Sequence, residues 1–395
     1  MVSETIERRV REDRATRVVL LSFLAGIPAL WWGYGTDIDT ANVLRAGQSL
    51  FDGDYEISRP PGNLPYEALA YVLDSIAGAP LVVLASMATA AFALWMLAVL
   101  VRHEGHDPFP TVFVVASSPW WRIASTSTGD YLFALALVLG GARARLANQT
   151  MLAGVLFGMA IGVRASTVGL IGAWLLAELW GDRDRFAVLF RTGLVTVVVG
   201  ALCFVPAWFS ADRSFDFFTT ETQVTSLATL IGRWGVKNLA FWGPLTLLVL
   251  GWWLLRRVRM RPAWSESVLV RFALMGLVWT EFVYLRFPWK PLHLLPALIF
   301  VAILVARSDR RLAFAAGAGL LLSAVVTVTV AAPDVPHRAT TGEVDIQLRA
   351  GVLITDVECR LDDHDLGDWP AIGTTEAYDR AVAIFDCQAQ LWRSD

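Results

Sequence analysis

Long apolar runs separated by short polar segments dominate the pattern of this chain. An α-helix needs about 20 apolar residues to cross a hydrocarbon core of about 30 Å. The pattern predicts an all-α integral membrane protein with about eleven transmembrane helices, and the short segments between 109 and 180 are predicted to be paired helices that do not cross alone. The candidate spans lie near residues 18–35, 80–101, 109–121, 128–141, 150–163, 167–180, 192–210, 238–255, 268–285, 291–306 and 312–332.

Composition and loop charge refine this topology. Of the 395 residues, 55% are hydrophobic and 17% are charged, which excludes an ordinary soluble enzyme. With a cytoplasmic N-terminus, the inner segments hold 18 basic residues and the outer loops hold nine. This positive-inside bias predicts a multi-pass cell-membrane protein, with a basic cytoplasmic N-terminus at 1–17 and a membrane domain at 18–332. The C-terminus is then predicted to be extracytoplasmic.

The segment 333–395 differs from the membrane domain because it carries 13 acidic residues and five arginines. We predict a small acidic extracytoplasmic domain there, which leans on the membrane part because so short a chain buries little core. Cys359 and Cys387 both lie in it. Two interpretations stay open: a disulfide between them, or two buried free thiols.

The first outer loop, from about 36 to 79, carries unusual polar residues. It opens with Asp37-Ile38-Asp39 at the mouth of the first span. An amphipathic helix is predicted from a cap near Thr40 to the Asp52-Gly53 turn. The stretch Ser58-Arg59-Pro60-Pro61-Gly62 predicts a rigid extended crossing, and the apolar stretch 64–79 is predicted to lie in the membrane interface.

This layout resembles the polytopic glycosyltransferases of the GT-C fold, such as protein O-mannosyltransferases and aminoarabinose lipid A transferases. The resemblance covers residues 18–300. It rests on the acid at the outer end of the first span, the loop helix ending near Gly53, the Pro-Pro-Gly segment, the motif Gly158-x-x-x-Gly162-x-Arg164, and the late segment Arg286 to Pro296. The chain departs from the family pattern in having Asp-x-Asp rather than Asp-Glu, and in lacking a Glu before the aromatic residue of the late loop.

The resemblance implies an inverting transfer of a sugar from a polyprenyl or dolichyl phosphate. A carboxylate then takes the proton of the acceptor hydroxyl, and cations neutralise the leaving phosphate. Asp39 is the first candidate for the base and Asp37 the second; the alternative is that both only cap the loop helix. Candidate phosphate ligands are Arg286, Lys290, His293, Arg59 and Arg164.

Those cations also have structural interpretations. Arg286, Lys290 and His293 are at a span end, where basic side chains snorkel to the interface, and Arg59 could bind loop carbonyls. Arg164 lies between apolar runs, where a charge is usually functional or paired. Asp130 is predicted to pair with Arg164 or Arg122.

Acceptor contacts are predicted around two further outer segments. The candidates are Asp130 and Trp121 near one turn, and Arg213 and Glu221 in the loop 211–237, which is long enough to cover an acceptor. For Trp121 the competing interpretation is an aromatic belt residue at the interface, and for the loop it is a solvated connection.

The function predicted is therefore a GT-C-type glycosyltransferase with a lipid-linked sugar donor and an extracytoplasmic glycan, lipid or protein acceptor. A transporter or flippase for a lipid-linked or anionic substrate is the alternative, and a non-catalytic scaffold is a third interpretation. No cofactor is required by these residues, although Asp37 and Asp39 are compatible with a divalent cation such as Mg²⁺ or Mn²⁺. Membrane lipids are expected partners, and no feature points to nucleic acid.

Overall fold

Helices form most of the computed structural model, which describes residues 14–37, 39–214, 227–259, 267–288, 290–331, 345–361, 379–380, 382–384 and 386–387. The predicted all-α architecture is confirmed, with one hairpin added. The first nine helices are α1 (Arg14–Trp31), α2 (Thr40–Asp52), α3 (Leu64–Ala77), α4 (Ala79–His103), α5 (Phe109–Ala116), α6 (Pro119–Ser125), α7 (Asp130–Leu146), α8 (Thr150–Val163) and α9 (Thr167–Gly181).

The second half of the chain continues the bundle and ends in the hairpin and one more helix. A 3₁₀ turn, Pro291–Leu294, leads into α14. The remaining elements are α10 (Phe186–Ser210), α11 (Leu227–Trp242), α12 (Pro244–Arg259), α13 (Val268–Arg286), α14 (Leu295–Ser308), α15 (Arg310–Val325), β1 (Val326–Ala331), β2 (Asp345–Ala350) and α16 (Val352–Leu361). The strands β1 and β2 pair antiparallel, with Val326 opposite Ala350.

The predicted count of eleven spans is not confirmed. Among the described residues, five helical segments are long and apolar enough to cross a membrane, or up to seven if each of two bent helix pairs is one span. The segment Pro291–Ser308 is the most enclosed of the five, with 72% of its residues buried, so it is the central helix of the bundle. The chain is accordingly a multi-pass membrane protein, while its orientation and the predicted domain limits at 17 and 332 remain predictions.

Two predicted spans are broken by local chemistry. The predicted span 238–255 is divided at Gly243, whose φ of +71° ends α11, and Pro244 begins α12 at an angle of 101°. Proline lacks the N–H that would continue a helix. The predicted span 109–121 divides in the same way into α5 and α6, because Pro119 starts a new helix. The short paired helices predicted between 109 and 180 are present.

The predicted span 312–332 is helical only to Val325. Its last part, Val-Thr-Val-Thr-Val-Ala, is strand β1, since alternating β-branched residues favour an extended backbone. The predicted loop 211–237 is partly helical as well, because α11 begins at Leu227.

Close helix packing explains the glycine motif of α8. A Cβ on Gly154, Gly158 or Gly162 would lie within 2.6 Å of Val195, Val199 or Cys203 on α10. Three glycines four residues apart therefore let α8 and α10 approach at backbone distance, as small residues do in membrane helix pairs. The packing leaves Arg164, the last residue of the motif, at the C-terminal end of α8.

The loop helix matches its predicted limits. Thr40 begins α2, and Gly53 with a φ of +86° ends it in the left-handed conformation. The extended crossing that follows is held by Glu67, a fully buried carboxylate that accepts hydrogen bonds from the Tyr55 hydroxyl at 2.5 Å and the Ser58 hydroxyl at 2.5 Å. Burial raises the pKa of Glu67, and these hydrogen bonds oppose that rise.

We expect Gly158→Ala to destabilise the protein by about 1–3 kcal/mol, because the new methyl group would overlap Val199 and the Thr196 carbonyl. The matched control is Gly193→Ala on α10, where no atom lies within 4 Å of the place that a Cβ would take; it should be neutral or slightly stabilising. Thermal unfolding of both variants in detergent checks this, and equal melting temperatures would refute the close approach of α8 and α10.

Candidate active site

A cavity of about 400 Å³ opens where the first loop, the start of α7, the end of α8 and the α13–α14 loop meet. One end is charged and the rest is largely apolar. The charged and polar lining comprises Asp39, Arg59, Asn63, Asp130, Tyr131, Arg164, Ser166, Thr167, Thr280, Tyr284, Lys290 and His293. The apolar lining includes Pro60, Pro61, Ala134, Leu135, Leu170, Trp279, Val283, Phe287 and Pro296.

Lys290 joins the two aspartates of the first loop. Its Nζ donates to Oδ1 of Asp37 at 2.7 Å and to Oδ2 of Asp39 at 2.8 Å. Asp37 also accepts the backbone N–H of Asp39 at 3.0 Å. Asp39 precedes α2 but makes no side-chain hydrogen bond to cap it, so helix capping does not explain this carboxylate.

Arg59 extends this pairing to the start of α7. Its Nη1 donates to Oδ2 of Asp39 at 2.5 Å, and its Nη2 lies 2.6 Å from Oδ2 of Asp130. Arg164 then binds the other oxygen of Asp130 at 2.7 Å. The predicted pairing of Asp130 with Arg164 is thus present. Three carboxylates and three cations alternate, and we call this series the charge chain: Asp37, Lys290, Asp39, Arg59, Asp130 and Arg164.

The three carboxylates differ in their access to the cavity. The side chains of Asp37 and Asp130 are 2% and 1% exposed, whereas that of Asp39 is 23% exposed. Both cations that bind Asp39 do so through Oδ2. Asp39 and Asp130 line the cavity and Asp37 does not. Of the two lining carboxylates Asp39 is much the more exposed, so it is the one that a molecule in the cavity reaches.

The electrostatics of the loop residues follow from this pairing. Burial opposes ionisation of Asp39, but the charges of Lys290 and Arg59 outweigh it and hold the pKa of its carboxyl well below the usual range. Burial alone would lower the pKa of Lys290, but the neighbouring acids, Asp37 above all, raise it above its usual value. Asp39 and Lys290 are therefore both charged at neutral pH.

Neighbouring residues hold each of the three cations in position. The buried Lys237 of α11 donates to the carbonyl of Pro288 at 2.6 Å and so fixes the loop that carries Lys290. Glu67 holds the crossing that carries Arg59 through Ser58. Arg164 stacks on the ring of Tyr131, with the guanidinium carbon 4.0 Å from the ring centre.

Aromatic rings line the cavity beside the charge chain. Tyr131 follows Asp130 on α7, and its ring centre lies 5.5 Å from that of His293. The guanidinium of Arg164 stacks on the same Tyr131 ring. The indole N–H of Trp279 donates to the Ser166 carbonyl at 2.9 Å, which leaves its ring as a wall between α13 and the start of α9. The cavity can therefore hold a molecule with an anionic head and an apolar tail.

Most of the predicted site residues come together in the structure. Asp37 and the cavity-lining Asp39, Arg59, Asp130, Arg164, Lys290 and His293 form one cluster. Trp121 does not join them, because it is fully buried in the main core. Arg286 packs on the ring of Phe287 and Arg213 on that of Phe209; neither lines the cavity. Glu221 lies outside the described residues.

Three residues that line the cavity, and one lysine that fixes the loop of Lys290, were not predicted from the sequence. Tyr131, Trp279 and Tyr284 line the cavity; Tyr131 could have been found as the neighbour of Asp130, but aromatic residues in apolar helices give no comparable signal. Nothing in the sequence distinguishes Lys237 from the other charged residues of the loop 211–237. Among the described residues, no group of three or more His, Cys, Asp or Glu side chains is arranged to hold a metal ion.

Comparison with known proteins assigns this chain to no family. No protein-family model and no curated protein sequence matches the chain. Among solved structures, it is similar to the crystal structure of ArnT from Cupriavidus metallidurans in the apo state, over 94% of this chain and 77% of that chain. The sequence identity is 16% and the TM-score is 0.45. At these values, the likeness transfers neither a family nor a function to this chain.

The depressed pKa of Asp39 predicts an acid-dependent loss of stability. Because the pKa of Asp39 is lower in the folded than in the unfolded chain, ionised Asp39 stabilises the fold above the ordinary carboxyl value of about 3.9, and that stabilisation declines as the pH falls below it. We expect the melting temperature to drop less between pH 5.5 and 3 in Asp39→Asn than in wild type.

The control for that experiment is Asp52→Asn, at the exposed end of α2. This variant should keep the wild-type dependence of melting temperature on pH. A drop in Asp39→Asn as large as in wild type would show that Asp39 is not held by the charge chain.

Proposed function

We propose that this protein is an integral membrane glycosyltransferase of the GT-C type. It moves a sugar from a polyprenyl or dolichyl phosphate to a hydroxyl group of an extracytoplasmic glycan, lipid or protein, with inversion at the anomeric carbon. The observation that carries the proposal is the cavity, in which an accessible carboxylate, three cations and an apolar wall lie side by side. The resemblance of the first loop and of the α8 motif to GT-C enzymes supports the same reaction.

The donor fits this division of the cavity. Its phosphate meets Lys290, Arg59 and Arg164, which supply a compact ammonium and two planar guanidinium groups. Its lipid chain lies along Leu170, Trp279 and Val283. The wall borders a lipid-facing surface, because Val278 and Phe282, one residue before Trp279 and Val283 on α13, are 71% and 65% exposed. A lipid donor can therefore enter from the membrane.

Asp39 acts as the general base. It removes the proton of the acceptor hydroxyl as the oxygen forms a bond to the anomeric carbon. The bond between that carbon and the phosphate oxygen breaks at the same time, and the lipid phosphate leaves with the electron pair. The Oδ1 atom of Asp39 is suited to this role because both cations bind Oδ2.

Donor binding also prepares the base. In the unliganded protein, Lys290 and Arg59 hold the pKa of Asp39 low, so its affinity for a proton is weak. A phosphate in the cavity competes for the same two cations. As they turn toward the phosphate, Asp39 loses part of its stabilisation and becomes a stronger base, which couples proton removal to the presence of donor.

The role of Asp130 changes in this proposal. Its carboxylate is enclosed and binds both Arg59 and Arg164. We assign it to orienting these two cations rather than to contacting the acceptor. We assign contact with the transferred sugar to Tyr131 and His293, which both line the cavity and whose ring centres lie 5.5 Å apart.

Replacement of Asp39 tests the reaction directly. In membranes supplied with polyprenyl-phosphate-linked mannose or glucose, we expect Asp39→Asn to lower sugar transfer by about 100-fold or more, since a positioned general base contributes at least that much. Asp52→Asn should transfer at the wild-type rate, because Asp52 is an exposed aspartate of the same loop, at the far end of α2. The measurement is radiolabelled sugar incorporated per unit of folded protein.

The outcomes separate the alternatives. Equal transfer in wild type and Asp39→Asn would reject Asp39 as the base. If the wild-type protein transfers neither sugar but moves the lipid-linked sugar across proteoliposome membranes, the protein is a flippase and the enzyme proposal is wrong.

Replacement of Lys290 tests the phosphate site. We expect Lys290→Met to weaken binding of a polyprenyl phosphate by about 10- to 100-fold, the size of one charge-assisted hydrogen bond. Arg45→Met is the matched control, because Arg45 is an exposed cation of the same outer region, paired with Glu56. Binding can be measured by quenching of tryptophan fluorescence, since Trp279 lines the cavity. Equal affinities in wild type and Lys290→Met would place the phosphate elsewhere.

A further inference from the structure

The last described helix buries a charged face. In α16 the buried residues are Val352, Asp356, Cys359 and Arg360, which share one side of the helix. Asp356 and Arg360 pair at 3.1 Å. They are 2% and 0% exposed. Burying two charges is costly unless both members of the pair meet further hydrogen-bonding partners, so the partners of this pair indicate what it holds.

Arg360 binds the segment that leads into α7. Its Nη1 donates to the Thr126 carbonyl at 3.0 Å, and its Nη2 donates to the Ser127 hydroxyl at 3.1 Å. This segment joins α6 to α7 across a bend of 99°. It ends at Gly129, and the next residue is Asp130 of the charge chain.

Asp356 binds the segment that carries the other two acids. Its Oδ1 accepts the Thr36 hydroxyl at 3.1 Å, and the next residue is Asp37. Asp39 follows two residues later. One ion pair of α16 therefore contacts both backbone segments from which all three carboxylates of the charge chain project.

The two segments also contact each other beneath this ion pair. The Thr128 N–H donates to the Tyr34 carbonyl at 2.7 Å, and the Thr36 N–H donates to the Ser127 hydroxyl at 3.4 Å. Gly35, with a φ of +91°, allows the approach, since a Cβ there would lie 2.4 Å from the Ser127 hydroxyl oxygen. Asp356 and Arg360 thus bind the backbone junction from which the three carboxylates of the charge chain continue.

We infer that Asp356 and Arg360 are positioning residues of the active site, which fix the distance between Asp37 and Asp39 on one segment and Asp130 on the other. The inference rests on the proposed function only for its consequence, the rate of sugar transfer. Through this ion pair, α16 of the acidic tail supports the segments that carry the site. A disulfide between Cys359 and Cys387 ties the turn that carries Arg360 to a later part of the tail.

We call the ion pair Asp356–Arg360 the clamp, and its loss should change the kinetics of transfer in a defined direction. Small displacements of reacting groups lower turnover by large factors. The lipid chain is assigned to Leu170, Trp279 and Val283 on α9 and α13, which Arg360 does not contact in any described hydrogen bond. Loss of the clamp should therefore lower kcat much more than it raises the KM for the lipid donor.

The first experiment measures the clamp without any substrate. Hydrogen–deuterium exchange is compared between wild type and Arg360→Gln. We expect the amides of Thr36 and Thr128 to exchange about tenfold faster in the variant, because a charge-assisted network that holds them is lost. Amides of α8 and α14 should be unchanged. Arg311→Gln, an exposed arginine on α15, is the matched control and should leave every segment unchanged.

The second experiment measures transfer from polyprenyl-phosphate-linked mannose or glucose. Arg360→Gln should lower kcat by about 10- to 100-fold while the donor KM changes by no more than about twofold. Arg360→Lys should recover part of kcat, because lysine keeps the charge but not the two-pronged donor geometry. If Arg360→Gln does not fold, Asp356→Asn tests the same contact from its other side.

The outcomes distinguish this inference from the proposed function. Unchanged exchange at Thr36 and Thr128 overturns the clamp whatever the transfer assay gives. Faster exchange with unchanged kcat overturns its role in positioning. If wild type transfers no sugar, the proposed function fails, and the exchange experiment still decides whether α16 holds the two segments together.

Discussion

Three carboxylates and three cations alternate from Asp37 to Arg164 in a largely apolar helix bundle. A single charge in such a setting is expensive, and removing one member of a buried pair leaves its partner uncompensated. The alternation solves this problem because each inner member has an oppositely charged neighbour on both sides. The first loop, α7, α8 and the α13–α14 loop are brought together by this requirement, so the site and the fold depend on the same contacts.

The charge chain is balanced, yet it borders an open cavity, and this combination gives the site its proposed chemistry. Cations already paired with carboxylates can turn toward a bound phosphate and neutralise its negative charge, so the protein needs no additional cation there. Asp39 would become a stronger base in this exchange. It is the accessible carboxylate, and the two cations that hold its pKa low are those that a phosphate would attract. The buried pair Asp356–Arg360 binds the same backbone segments and gives them a second support.

Much of this arrangement could be predicted from local sequence. The limits of α2 follow from Thr40 and Gly53, and the depth of Arg164 implies a partner such as Asp130. The errors arise where one residue overrides an apolar pattern: Gly243-Pro244 divides one predicted span, Pro119 divides another, and the Val-Thr repeat after Val325 forms a strand. Trp121, expected near an acceptor, is buried in the core, because hydropathy does not reveal which face of a short helix points inward.

The sequence by itself determined the membrane class, the residues that carry charge and the ends of helices at which they lie, because hydropathy, capping and turn chemistry are local properties. Only the tertiary structure decided the partners. Lys290 and Asp37 are separated by 253 positions, and Arg360 and Thr126 by 234. Coulombic attraction and hydrogen bonding act through space, so no local pattern tells which of several basic residues near span ends will face Asp39 and which, like Arg286, will pack elsewhere.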